Sequence, residues 1–137
     1  MSEKFEKLND HIQRVFPDSK LERLSDQEIE ALRIEYPNVP LHYIEFLQRI
    51  GWGRLGNSNF MIYSGLITPD NIFDSATAEE LSGLVLFGDN FSGWMTGIYI
   101  NNSWAMVSID HESLEVEVLG QQTLFSFIEN RISCFED

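Results

Sequence analysis

The chain has 137 residues with 43% apolar and 12% aromatic content, enough for one domain that buries about 68% of its unfolded surface. This composition excludes a disordered chain despite the net charge of −13. The charge is unevenly spread: residues 1–69 hold ten acids and eight bases, whereas residues 70–137 hold twelve acids and one base, Arg131.

Residues 3–16 place Phe5, Leu8, Ile12 and Val15 at helical spacing, and Pro17 and Asp18 close that helix. Ser25-Asp26-Gln27-Glu28 is a capping-box pattern that starts a second helix with Ile29 and Leu32 facing inward, ending before Pro37. Pro40 suits the first position of a third helix. That helix carries Leu41, Ile44 and Leu47, with Tyr43, Phe46 and Ile50 offset, and Gly51 follows as a C-terminal cap.

Beyond residue 50 the apolar period shortens. Segments 60–63, 83–87, 96–100, 104–109 and 114–119 read as strands. Asn101-Asn102 and His111-Glu112-Ser113 sit at hairpin turns. In 114–119 the alternation is strict, which predicts Leu114, Val116 and Val118 on a buried face and Glu115 and Glu117 on an exposed one. The segments TPDNIF and TAEEL suggest short helical turns. Leu124, Phe127, Ile128, Ile132 and Phe135 form the apolar face of a last helix over 123–135. The expected architecture is a single α+β domain over 1–137, with the N-terminal helices and a C-terminal helix packed on a mainly antiparallel sheet. Its hairpins pair 96–100 with 104–109, and 104–109 with 114–119.

Candidate chemistry is sparse. Asp110-His111-Glu112 is the one cluster of histidine with carboxylates. Neighbours in an extended segment point to opposite faces, so a polar turn fits better than a metal site, and no metal or other cofactor is expected. Gly88-Asp89-Asn90-Phe91-Ser92-Gly93 lacks the Gly-Lys-Ser/Thr of a phosphate loop, and no lysine follows Lys20. No Gly-x-Ser-x-Gly elbow occurs. Cys134 lies among acids, which makes it a poor candidate for an activated nucleophile, and a lone cysteine makes no internal disulfide. Glu115 and Glu117 share a face and serve solubility or partner contact. Trp52, Trp94 and Trp104 are read as packing residues, with Trp52 and Trp94 placed in loops where an interface role is open. The strong acidity of the second half argues against nucleic acid and anionic membrane and for a basic protein surface. The start of the chain lacks an apolar leader and no run approaches a membrane span, so a cytoplasmic location is expected.

Three pieces in order resemble one family. Val39-Pro40-Leu41-His42-Tyr43-Ile44-Glu45-Phe46-Leu47 and its glycine exit Gly51-Trp52-Gly53 are similar to an "LP-x-x-Y-x-x-F-L" helix. Leu86-Phe87-Gly88-Asp89-Asn90, followed by Gly97-Ile98-Tyr99-Ile100, is similar to a "hydrophobic-G-D/N" strand end and the next strand. Val107-Ser108-Ile109-Asp110-His111-Glu112, then Thr123-Leu124-Phe125-Ser126-Phe127-Ile128, is similar to "V-x-x-x-D-H-E" and "S-F-x-x-F-L". Over roughly residues 25–132 the chain resembles the SUKH superfamily of fungal cell-wall-synthesis regulators and bacterial immunity proteins. The exit Ile50-Gly51-Trp52-Gly53 and the turn Asn90-Phe91-Ser92-Gly93-Trp94 depart from the usual pattern.

The resemblance implies an α+β fold without catalysis, whose bacterial members bind and neutralise a cognate toxin. The partner-binding residues expected here are Asp89, Trp94, Asp110, Glu112, Glu115 and Glu117. They would occlude basic residues that a nuclease toxin uses on its substrate. A regulatory or scaffolding adaptor is the alternative from another class, and a small hydrolase a more distant one.

Overall fold

The structure is a computed structural model that describes residues 3–57, 59–100 and 103–134. These residues form an α+β fold of five α-helices and seven strands, and every strand pair described below is antiparallel. The chain divides into two compact units, residues 1–64 with 123–137, and residues 65–122.

In the first unit, α1 (Glu3–Val15) buries Phe5, Leu8 and Ile12, the stripe expected from their spacing. Helix α2 (Asp26–Glu35) opens on the predicted capping box. Ser25 Oγ accepts from the Glu28 amide (3.2 Å), and Glu28 Oε1 accepts from the Ser25 amide (2.9 Å). Helix α3 (Leu41–Arg49) starts one residue later than expected, with Pro40 as its N-cap rather than its first helical residue. It buries Tyr43, Ile44, Phe46 and Leu47. Leu41 is instead 60% exposed, because Tyr43, Ile44, Phe46 and Leu47 centre on the opposite side of the helix. Gly51, at φ +114°, ends the helix in the backbone region that glycine tolerates.

Two strands of this unit were not foreseen. Strand β1 (Lys20–Glu22) pairs with β2 (Trp52–Leu55), and β2 pairs with β3 (Phe60–Ile67). Gly53 opposes Leu21 where a Cβ would collide with the Lys20 carbonyl, so glycine is needed for this close approach. Trp52 is therefore the first residue of a strand and not a loop residue. The last helix, α5 (Leu124–Ser133), was expected on the sheet; it packs chiefly against α3 and α1 of this unit and meets the sheet at Phe60. Phe127 meets Phe60 of β3 edge-to-face at 5.3 Å, and Phe125 meets Phe5 of α1 likewise at 5.3 Å. Leu124, Ile128 and Ile132 are buried, while the predicted contribution of Phe135 lies outside the described residues.

The second unit starts with a 3₁₀ turn (Pro69–Asn71) and α4 (Ser75–Glu80), the two short helical segments read from the sequence. A meander follows: β4 (Leu84–Asp89), β5 (Trp94–Tyr99), β6 (Ala105–Asp110) and β7 (Val116–Gly120). Both predicted hairpins form, β5 with β6 and β6 with β7. The Asn101-Asn102 turn lies outside the described residues. Leu84, Leu86, Ile98, Met106, Val107 and Ile109 are buried. The buried face expected of β7 does not exist. Val116 is 41% and Val118 67% exposed, and Leu114 (φ +63°) belongs to the turn. The alternation is present, but β7 is the last strand of the meander, and its two valines stay exposed among the described residues.

Candidate partner-binding face

The register of the meander decides which predicted residues meet. Directly opposed residues in an antiparallel pair project to the same face. Trp94 opposes Asp110, Thr96 opposes Ser108, and Ser108 in turn opposes Glu117. The Asp110 amide donates to the Glu115 carbonyl at 2.9 Å, which extends the same register by one pair. Trp94, Asp110, Glu115 and Glu117 thus share one face, with Thr96 and Ser108 between them (Oγ1 to Oγ, 3.5 Å). Trp94 is half-buried and begins β5, so the expectation that it lies in a loop is corrected, while its place beside the acids is new. Glu115 and Glu117 are exposed, as expected of them.

Asp89 does not join this group. A bulge between Leu86 and Gly88 inserts Phe87 as an extra residue in β4, after which Asp89 opposes Met95 rather than Trp94. A shift of one residue sends a side chain to the other face of a sheet. Asp89 accordingly shares the side of Met95, Ile109 and Val116. Without the bulge it would stand beside Trp94 and Asp110. Glu112 is exposed in the β6–β7 turn and belongs to neither face.

The two turns at this end of the meander are held by their own side chains. Asp89 Oδ1 accepts from the Phe91 amide (2.9 Å), and Asn90 Oδ1 accepts from the Ser92 (2.9 Å) and Trp94 (3.1 Å) amides. Asp110 Oδ1 accepts from the Glu112 amide (3.0 Å), the turn role expected of it. These bonds carry Phe91 at φ +64° with its ring 48% exposed. The His111 amide donates to the Gly93 carbonyl at 2.7 Å, which ties the two turns together. The His111 ring lies against Phe73 at 5.4 Å and 30°. Among the described residues no three His, Cys, Asp or Glu side chains are gathered to hold a metal ion.

Charge completes the site. The second unit contains nine Asp or Glu residues and no Lys or Arg. The one base of the C-terminal half, Arg131, belongs to the first unit, where its Nε donates to Asn59 Oδ1 (3.1 Å) and its Nη2 to the Asn59 carbonyl (2.9 Å). Nothing within residues 65–122 neutralises the field of the acids, so the unit attracts cations and repels anions over a Debye length. No described helix is long and apolar enough to cross a membrane. Comparison with family models, with curated proteins and with solved structures finds no significant match to this chain.

Proposed function

We propose that this chain is a non-catalytic protein-binding domain of the SUKH kind, an immunity protein that neutralises a basic toxin domain by occlusion. The observation that carries the reading is the common face of Trp94, Asp110, Glu115 and Glu117 in a unit with nine acids and no Lys or Arg. An enzyme that cuts nucleic acid must hold phosphates with cationic side chains. An acidic face laid over those side chains competes with the substrate for the same charges. Trp94, half-buried among the acids, supplies the aromatic surface that interface anchors commonly provide. The cytoplasm is where such a protein would meet an incoming toxin.

The test begins with recovery of the partner from the native host by co-purification. Association is then measured by stopped flow at low and high salt. The double reversal Glu115→Lys/Glu117→Lys should slow capture by about tenfold at low salt and flatten the salt dependence. The reversal Glu3→Lys/Glu6→Lys on α1 should change it less than about twofold, because Lys4 and Lys7 already stand among those acids and Lys7 pairs with Glu3 at 3.5 Å. Equal effects from the two pairs would mean that the acids serve only solubility, and a partner without a basic surface would refute the reading.

A further inference from the structure

Strand β7 is the outermost strand of its meander, and its backbone is open on one side. In an antiparallel pair, successive residues alternate between turning their N–H and C=O toward the neighbour and away from it. The Asp110–Glu115 contact is of the inward kind, so Glu117, two residues on, is inward as well. Val116 and Val118 therefore present their N–H and C=O groups to the free edge. Their side chains are 41% and 67% exposed, in the same cross-strand rows as Ile109 and Val107, which are almost fully buried. The apolar surface of the meander runs out to an edge that also offers backbone groups without a partner among the described residues.

Sheet edges are usually blunted by shortness, proline, lysine or an inward charge. In the first unit, β1 is blunted in this way: it is three residues long and its ends, Lys20 and Glu22, are exposed and charged. Strand β7 has five residues and no proline or lysine. Its only charges, Glu115 before it and Glu117 within it, stand on the face away from the valines and select the sign of what can approach.

We infer that β7 is a docking edge that takes up an extended basic segment of the partner as a further antiparallel strand. The inference rests on the acidic-face reading above and specifies how the partner is held. A strand laid beside β7 places alternate residues against Val116 and Val118 and the others against Glu115 and Glu117. The incoming segment thus alternates apolar residues with Lys or Arg. A second copy of this chain is the wrong occupant, since its β7 would bring glutamates against glutamates within two units that hold no Lys or Arg.

The probe is a capped peptide of about seven residues that alternates lysine and valine, the length of an ordinary strand. A second peptide of the same charge carries proline in place of the central valine. Binding to the full chain is followed by NMR, with hydrogen exchange read at Val116 and Val118. In the protein, Val118→Pro removes only an outward N–H and leaves the Glu117 bonds to β6 in place, whereas Val118→Thr keeps the N–H and the branched shape. The alternating peptide should bind wild type and Val118→Thr equally and protect the Val116 and Val118 amides. Val118→Pro, or proline in the peptide, should each weaken binding about tenfold, the scale of one lost backbone hydrogen bond. If Val118→Pro does not fold, methylation of the peptide amides along one edge makes the same test from the other side, and unchanged binding then overturns the inference. Salt-sensitive binding that ignores both prolines would remove the edge and leave the acidic face standing. Failure of both peptides to bind, or a dimer of this chain that Val118→Pro dissolves, would also overturn the edge inference. The acidic-face reading is judged separately, by the association rates of the recovered partner.

Discussion

Replacing Arg131 tests whether the lone base of the C-terminal half is a structural clamp. Its guanidinium donates to both the side chain and the main chain of Asn59, at 3.1 and 2.9 Å. The same group lies 4.9 Å from the Phe60 ring centre and 5.9 Å from that of Phe127. Hydrogen bonds from a charged donor contribute about 1.5–3 kcal/mol each, and a partly exposed cation over a ring about 0.5–1 kcal/mol. Burial opposes this, because desolvation lowers the Arg131 pKa and so disfavours its charged form. Offsetting the two leaves about 2–3 kcal/mol for Arg131→Met, which keeps the packed stem but loses the fork. Arg131→Lys should cost about 1–2 kcal/mol, since one ammonium cannot span both acceptors as the planar group does. Urea unfolding with a common slope measures the change, and a double-mutant cycle with Asn59→Ala isolates the side-chain bond at about 1 kcal/mol. Arg131→Met within about 0.5 kcal/mol of wild type, the scatter of an ordinary surface change, would show that the clamp is ornamental and refute the reasoning.

His42 should make the first unit sensitive to mild acid. Its Nδ1 accepts from the Leu124 amide at 3.1 Å, one of the orphan donors at the start of α5. Burial lowers its pKa below the usual 6.5, with Glu45 opposing the shift. A depressed histidine takes up its proton more readily when unfolded, so its stabilisation is whole above the unfolded pKa and declines as pH falls through it. Urea midpoints should therefore drop as pH falls through about 6.5, the unfolded value, and His42→Ala should flatten that drop while costing about 1–2 kcal/mol at neutral pH. An unchanged pH slope in the variant would place the sensitivity elsewhere. Glu28 and Asp74, whose pKa values are lowered by bonds to Ser25 and Thr77, lose their contributions only in the carboxylate range below this window. Gly97→Ala should cost about 1–3 kcal/mol, because the new Cβ would strike the Val85 carbonyl and crowd the Leu86 and Leu84 methyls at 3.0 and 3.1 Å. A cost below about 0.5 kcal/mol, read from the same unfolding curves, would mean that β4 gives way freely.

Much of the fold was legible because its signals are local. The stripe of Phe5, Leu8 and Ile12 and the capping box of Ser25 and Glu28 need only neighbouring residues, and both appear where the sequence put them. Strands β1 and β2 were missed because three and four residues are too few to show a period, and β2 is interrupted by Gly53. The exposure of Val116 and Val118 was misjudged for a different reason. Alternation reports that two faces differ, but whether anything covers the apolar one depends on a strand's place in the sheet. Trp94 joins the acids and Asp89 leaves them through register, which depends on the turn lengths and on the single extra residue Phe87. A composition count could find the acidity of residues 65–122 but not its sidedness.

The first unit is discontinuous in the chain, built from residues before 65 and after 122. On a ribosome, the whole of the second unit must emerge before α5 can reach the positions where Phe60, His42 and Asn59 receive it. The meander, whose strands pair with their immediate neighbours in sequence, can assemble during that interval. The acidic surface is thus available while the first unit is still incomplete. The contacts of Leu124 with His42 and of Arg131 with Asn59 complete the first unit only after residues 65–122 have been made.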